Sequence, residues 1–156
     1  SMEDLNVETE ILPSEMKIEA DSVQLKQVFL NLLLNAKDAM ESNKGRKDLN
    51  LVIKASDAAA FPQLKWSPPQ GIEPFRENYY CVLVKDNGSG IEKDVIGRIF
   101  EPFFTTKPFG KGTGMGLAMV YGTITKHKGW IEVQSKVGDG TEFYVIIPKA
   151  SGTDSY

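Results

Sequence analysis

The sequence predicts a two-layer α/β sandwich, with a mixed, mostly antiparallel sheet and about three helices on one face. Two observations and one packing rule predict it. Short apolar or alternating runs recur in pairs, so hairpins dominate the strand connections. A long segment, DSVQLKQVFLNLLLNAKDAMESN, carries Leu25, Val28, Phe29, Leu32, Leu33, Ala36, Ala39 and Met40 at helical spacing. Helices confined to one face of such a sheet leave two layers.

The elements follow in order. LNVETEI (5–11) alternates as a half-buried strand does. Pro13 interrupts it, and MKIEA (16–20) reads as a second short strand. Asp21 or Ser22 can cap the long helix, and Lys44-Gly45 ends it. LNLVIKAS (49–56) is a strand. Residues 57–77 hold four prolines and no period. They read as a long loop that docks Phe61, Trp66 and Phe75. NYYCVLVKD (78–86) is a buried central strand, DNGSGI a turn, and EKDVIGRI (92–99) a short helix. Residues 100–113 form a loop rich in Phe, Thr, Lys and Gly. A helix follows over about 114–128, with Leu117, Val120 and Tyr121 toward the core and Gly122 packed closely on the sheet. WIEVQSKVGDGTEFYVIIP is two strands around a Gly-Asp-Gly turn. Ser1-Met2 reads as a tag-cleavage scar. The expected division is therefore 1–4 scar and linker, 5–149 one domain, and 150–156 a polar tail.

Composition narrows the function. The 156 residues are 41% hydrophobic and 25% charged, with a net charge of -3. That balance gives no footprint for nucleic acid or an anionic membrane. A single cysteine, Cys81 in YYCVLV, rules out an intrachain disulfide and a cysteine-based zinc cluster. It reads as a buried thiol. No run approaches the roughly 20 apolar residues of a membrane span.

Three stretches carry candidate chemistry. On the long helix Asn31 and Asn35 share a face, with Asp38 close to the same stripe. They are either a solvated edge or a hard-oxygen set for a cation that also holds phosphates. DNGSGI is either a plain turn or a strand-end carboxylate, Asp86, that accepts from an exocyclic amine while Gly88 and Gly90 admit a base closely. GKGTGMG (110–116) is either a hinge or an anion cradle. Glycines leading into a helix start leave bare N–H groups pointing at phosphate, with Lys107 and Lys111 nearby. It lacks the lysine and hydroxyl of a Walker A loop, and no buried strand precedes it as a dinucleotide fingerprint requires.

In one order, these stretches resemble the ATP-binding catalytic domain of sensor histidine kinases, in the GHKL superfamily. QVFLNLLLNAKDAM is similar to that family's N box, DNGSGI to its G1 box, IFEPFFTTK (99–107) to its F box, and GKGTGMGLAMVYG with the strands after it to its G2 box. The resemblance runs over about 16–148. It implies the Bergerat ATP-binding fold with a five-stranded sheet, and ATP and Mg²⁺ as cofactors. Asn35 would ligate Mg²⁺, and Asn31 and Asn35 would be the catalytic positions. Asp86 would bind the adenine amine, supported by Thr141, with Gly88, Gly90 and Ile91 lining that side. Gly112, Thr113, Gly114, Met115, Gly116 and Leu117 would hold phosphate. Residues from about 92 to 112 would form a lid carrying Thr105, Thr106, Lys107 and Lys111. Phe100, Phe103 and Phe104 would anchor it or dock it on partner helices.

Two departures refine these expectations. Many members carry a basic residue three positions after the N-box asparagine. Here Asp38 stands there and Lys37 one earlier, about 100° around the helix. Lys107 and Lys111 are then the expected phosphate cations, and Asp38 lies near the Mg²⁺ hydration shell or the adenine floor. Hydrolysing relatives place a glutamate base where this chain has Asn31, and an amide cannot take a proton from water. The resemblance therefore implies a protein-histidine kinase of two-component signalling, cytoplasmic, without membrane contact by this domain. Its partners would be dimerisation and histidine-phosphotransfer helices of the same full-length protein, and a response regulator. The lone His127 reads as a helix C-terminal residue, not a phosphoacceptor. The alternatives are an anti-sigma-type serine kinase and a non-catalytic nucleotide-binding module.

Overall fold

The computed structural model of the chain describes residues 5–13, 15–43, 45, 48–105 and 116–150. Its elements are β1 (Leu5–Ile11), α1 (Ser22–Ser42), β2 (Leu49–Asp57), β3 (Tyr79–Asp86), α2 (Lys93–Ile96), α3 (Gly116–Lys126), β4 (Trp130–Lys136) and β5 (Gly140–Pro148). The five strands lie in the order β1-β2-β3-β5-β4. β1 pairs parallel with β2, and every other neighbour is antiparallel. The parallel pair follows from α1, which carries the chain back along the sheet as a parallel connection requires.

Asp21 caps α1, its carboxylate accepting from Gln24 N–H at 3.1 Å. Such a cap contributes about 1 kcal/mol. The helix buries Leu25, Val28, Leu32, Ala36 and Met40, a stripe at spacings of three and four. Leu25, Val28 and Leu32 of that stripe and the Val120–Ile124 pair of α3 pack on Val84, Phe143 and Val145 of the sheet, and Ala36 and Met40 pack with Leu49 of β2. Strand alternation then sorts β3: Val82, Val84 and Asp86 face the helices, and Tyr79, Cys81 and Leu83 face the other way.

The other face is also covered, by the loop expected to dock Phe61 and Trp66. The connection between β2 and β3, with short 3₁₀ turns at Ala58–Ala60 and Arg76–Asn78, folds over it. Phe61 and Leu64 are buried there against Tyr79, Cys81 and Tyr144. The Trp66 ring meets Trp130 at 5.0 Å and Tyr79 at 5.5 Å, edge-on. Glu132 of β4 accepts from the N–H of Trp66, the N–H of Ser67 and the indole of Trp130. Arg76 lies over Trp66 and donates to the carbonyls of Phe61 and Leu64. Phe75, expected to dock, is 57% exposed.

Three further expectations change. Residues 16–20 form no ladder. They lead from β1 to the cap of α1, so their alternation serves packing: Ile18 rests on the helical core and the Lys17 carbonyl accepts from Ala150 N–H. α2 is one turn rather than two, ending at Gly97. Gly122 does not touch the sheet; it is exposed, and a Cβ there would meet nothing within 4 Å. Leu117 and Val120 do face the core, whereas Tyr121 is exposed with its ring against Phe100. The expected helix start at Gly114 or Met115 lies outside the described residues.

Candidate functional site

The site is built around the end of β3. Parity turns Asp86 toward the helical layer, where it is 3% exposed. Burial pushes its carboxyl pKa up to about 6, against the lowering effect of hydrogen bonds from the Gly88 and Thr141 backbones. The Gly88 N–H reaches Oδ1 at 2.8 Å. Thr141 stands opposite Asp86 on β5, 2% exposed and on the same face.

The turn after Asp86 is clamped between α1 and the β4–β5 hairpin. Ser89 N–H donates to the Ala39 carbonyl at 3.0 Å, and Asn43, the C-cap of α1, donates its amide to the Gly88 carbonyl at 2.9 Å. A Cβ on Gly88 would lie 2.5 Å from the Ala39 backbone, and Gly90, at φ +77°, would collide with the Lys136 carbonyl. Protein packing by itself therefore requires glycine at both positions. The next residue, Ile91, packs on the helical core and donates its N–H to Ser135 Oγ at 2.8 Å. Ser135 Oγ also lies 2.9 Å from the Gly140 carbonyl and 2.8 Å from Thr141 Oγ1.

Asn31 and Asn35 are half-buried on one stripe of α1. Asn31 donates to the carbonyl of Gly116, the first residue of α3, at 3.4 Å and accepts from Gln27. The Asn35 amide has no side-chain partner among the described residues. Asp38 is half-buried one turn further on. Lys37 instead pairs with Glu41 at 3.5 Å on the solvent side, as the 100° rotation predicts.

The remaining expected residues divide. Gly116 and Leu117 open α3, and Thr105 is exposed. Thr106, Lys107, Lys111, Gly112, Thr113, Gly114 and Met115 lie outside the described residues, and with them most of the expected phosphate cradle. The three phenylalanines separate: Phe100 sits between Tyr121 and Phe143, and Phe104 packs on the core beneath the Arg98 guanidinium. Phe103, at φ +67°, is 76% exposed. His127 follows α3; its Nδ1 lies 2.8 Å from the Thr123 carbonyl and its Nε2 accepts from the Asp21 N–H. It ties the end of α3 to the start of α1, a structural use of both ring nitrogens.

Sequence reasoning missed Asn43 and Ser135. An asparagine at a helix end is a capping signal. Period two from Ile131 and Val133 places Ser135 on the helix-facing side of β4, where a hydroxyl needs partners.

Comparisons with known proteins converge on one group. The family described as histidine kinase-, DNA gyrase B-, and HSP90-like ATPase matches residues 20–151. Sensor kinase CckA of Brucella abortus is 42% identical over 132 residues, which is 85% of this chain but 13% of that protein. The catalytic domain of histidine kinase ThkA superposes with a TM-score of 0.69 at 27% identity, covering 95% of this chain and 82% of that one. Full-length ShkA in complex with AMPPNP aligns over 95% of this chain and 26% of its own, at 26% identity and a TM-score of 0.68.

Proposed function

We propose that this chain, which belongs to the family of histidine kinase-, DNA gyrase B-, and HSP90-like ATPases, binds Mg·ATP and donates the γ-phosphoryl to a histidine of a two-component signalling protein. The observation that carries the reading is Asp86, a carboxylate buried at a strand end beside Thr141, held by backbone N–H groups and facing the helices. An ionised group there accepts the exocyclic amine of adenine, with the Thr141 hydroxyl beside it. The N–H groups of Gly116 and Leu117 at the start of α3, together with those of residues 112–115 that precede them in the chain, would hold phosphate, with Lys107 and Lys111 as cations.

The donor set fits Mg²⁺. Asn35 offers a hard amide oxygen without a competing side-chain partner among the described residues. No cluster of three His, Cys, Asp or Glu side chains stands among them to cage a metal fully. Mg²⁺ binds through few protein oxygens and the substrate's phosphates. When bound it offsets charge on the β- and γ-phosphate oxygens. Asn35 would hold it, with Asp38 near its waters.

Transfer then rests on positioning. The acceptor imidazole nitrogen attacks the γ-phosphorus, the bond to the β–γ bridging oxygen breaks, and ADP leaves with that electron pair. Asn31, an amide at the mouth of α3, takes no proton from water, which keeps hydrolysis slow. The imidazole proton passes to a group beside the acceptor histidine. The acceptor lies on dimerisation helices outside this sequence, and a response regulator receives the phosphoryl next. Among the described residues no helix is long and apolar enough to cross a membrane. In this reading the domain acts in the cytoplasm, as the family resemblance implies.

The test is transfer in trans. The chain, γ-labelled ATP, Mg²⁺ and the parent protein's helical domain should label a histidine on that domain; the chain alone should stay unlabelled. Self-labelling at His127, or hydrolysis as fast with water as transfer to the helices, would overturn the reading. An Asn35→Ala variant should lose Mg²⁺-dependent affinity; a metal-independent wild type would remove that role.

A further inference from the structure

We infer that Ser135 is a positioning residue for base recognition: it orients the Thr141 hydroxyl so that Thr141 and Asp86 both act as acceptors toward the exocyclic group at C6 of the base. This rests on the nucleotide-binding reading above and adds a residue to it. Three contacts converge on Ser135 Oγ. The Ile91 N–H donates to it at 2.8 Å, so one lone pair is taken. The Gly140 carbonyl lies 2.9 Å away and can only accept, so the single serine proton goes there. Thr141 Oγ1 is 2.8 Å away, and with the serine proton already placed, this contact is a hydrogen bond only if threonine donates. Thr141 Oγ1 then keeps its proton turned to Ser135, which leaves its lone pairs to accept. Its neighbour Asp86, once ionised, is an acceptor too.

At the C6 substituent two adjacent acceptors can each take one hydrogen of a 6-amino group, whereas a 6-oxo group would turn its lone pairs to both. A wrongly matched buried polar group costs more than a missing contact. The geometry is fixed from both sides. Gly140, at φ +130°, sits so close to the Asp86 carbonyl that a Cβ would collide with it. The Ile91 N–H ties the same serine to the turn that follows Asp86. Base reading and the start of the 92–105 segment thus share one hydroxyl.

The experiment compares ATP with inosine triphosphate, a 6-oxo purine nucleotide, by calorimetry on this chain. Wild type should prefer ATP strongly. Ser135→Ala frees the Thr141 hydroxyl to rotate and donate to a 6-oxo group, so the ATP-to-ITP ratio should fall by about tenfold. Ser135→Thr keeps the hydroxyl and should restore the ratio. In a Thr141→Val background Ser135→Ala should no longer change the ratio, because the effect passes through Thr141. If Ser135→Ala does not fold by circular dichroism, Ser135→Cys, a weak donor of similar size, reads the same ratio. Equal loss of both ligands, or an unchanged ratio with the fold intact, overturns the inference and leaves Ser135 structural. A wild type that binds neither nucleotide would instead refute the nucleotide-binding reading.

Discussion

Asp86 is a buried carboxyl whose proton is held more tightly in the folded chain than in the unfolded one. Between about pH 4 and 6 the folded state therefore binds the extra proton, and this group's contribution to stability falls as pH rises. Binding has the opposite sign, because only the ionised carboxylate accepts an amine. ADP affinity should rise from roughly pH 5 to pH 7 and level off above it. Asp86→Asn removes the buried charge, so urea denaturation at pH 7 should show stability held or raised. Calorimetry should show ATP affinity down by roughly 100-fold, with the pH dependence gone. Unchanged ATP affinity in the folded variant would refute the adenine assignment.

At the scale of elements, α3 links the helical core to the proposed phosphate site. Val120 and Ile124 anchor it, and His127 ties its end to the cap of α1. Gly122 lies on its open side, with no left-handed backbone and no neighbour to displace. Glycine there costs helix stability with no compensating contact. Gly122→Ala should raise stability by about 0.5–1 kcal/mol, measured by urea denaturation, without changing nucleotide affinity. A loss of stability would mean that the outer face of α3 meets something the free chain does not show. Gly88 is the contrasting case: Ala39 stands 2.5 Å from where its Cβ would be, so alanine must push the Asp86 turn off α1.

At the scale of the whole molecule, one sheet separates two jobs. The helix-facing side holds Asp86, Thr141 and Ser135; the far side is covered by the 58–78 connection with Trp66, Trp130 and Tyr79 at its centre. No side chain of that aromatic cluster belongs to the candidate site. Trp66→Ala should therefore lower stability by about 2 kcal/mol while leaving ATP affinity within about twofold. A large loss of affinity with the fold retained would show that the covering layer is coupled to the site.

Periodicity determined much of this protein from its sequence: the α1 stripe from Leu25 to Met40 and five of the six strands it offered. These are local properties, set by a spacing of 3.6 or 2 residues. The order of the Asn31–Asn35 helix, the DNGSGI turn and the glycine-rich stretch likewise carried the family. Other features depended on contacts between distant residues. Residues 16–20 alternate like a strand, yet in the fold Ile18 rests on the helical core and the Lys17 carbonyl accepts from Ala150, far away in the chain. The 58–78 connection has no period because its apolar groups answer to Trp130 and Tyr144, far away in the chain. Gly88 and Gly90 looked suited to a ligand's approach; the fold requires glycine there as well, because Ala39 and Lys136 leave no room for a Cβ. Ser135 joins Ile91, Gly140 and Thr141, and only the folded β4–β5 hairpin brings those groups within reach of one hydroxyl.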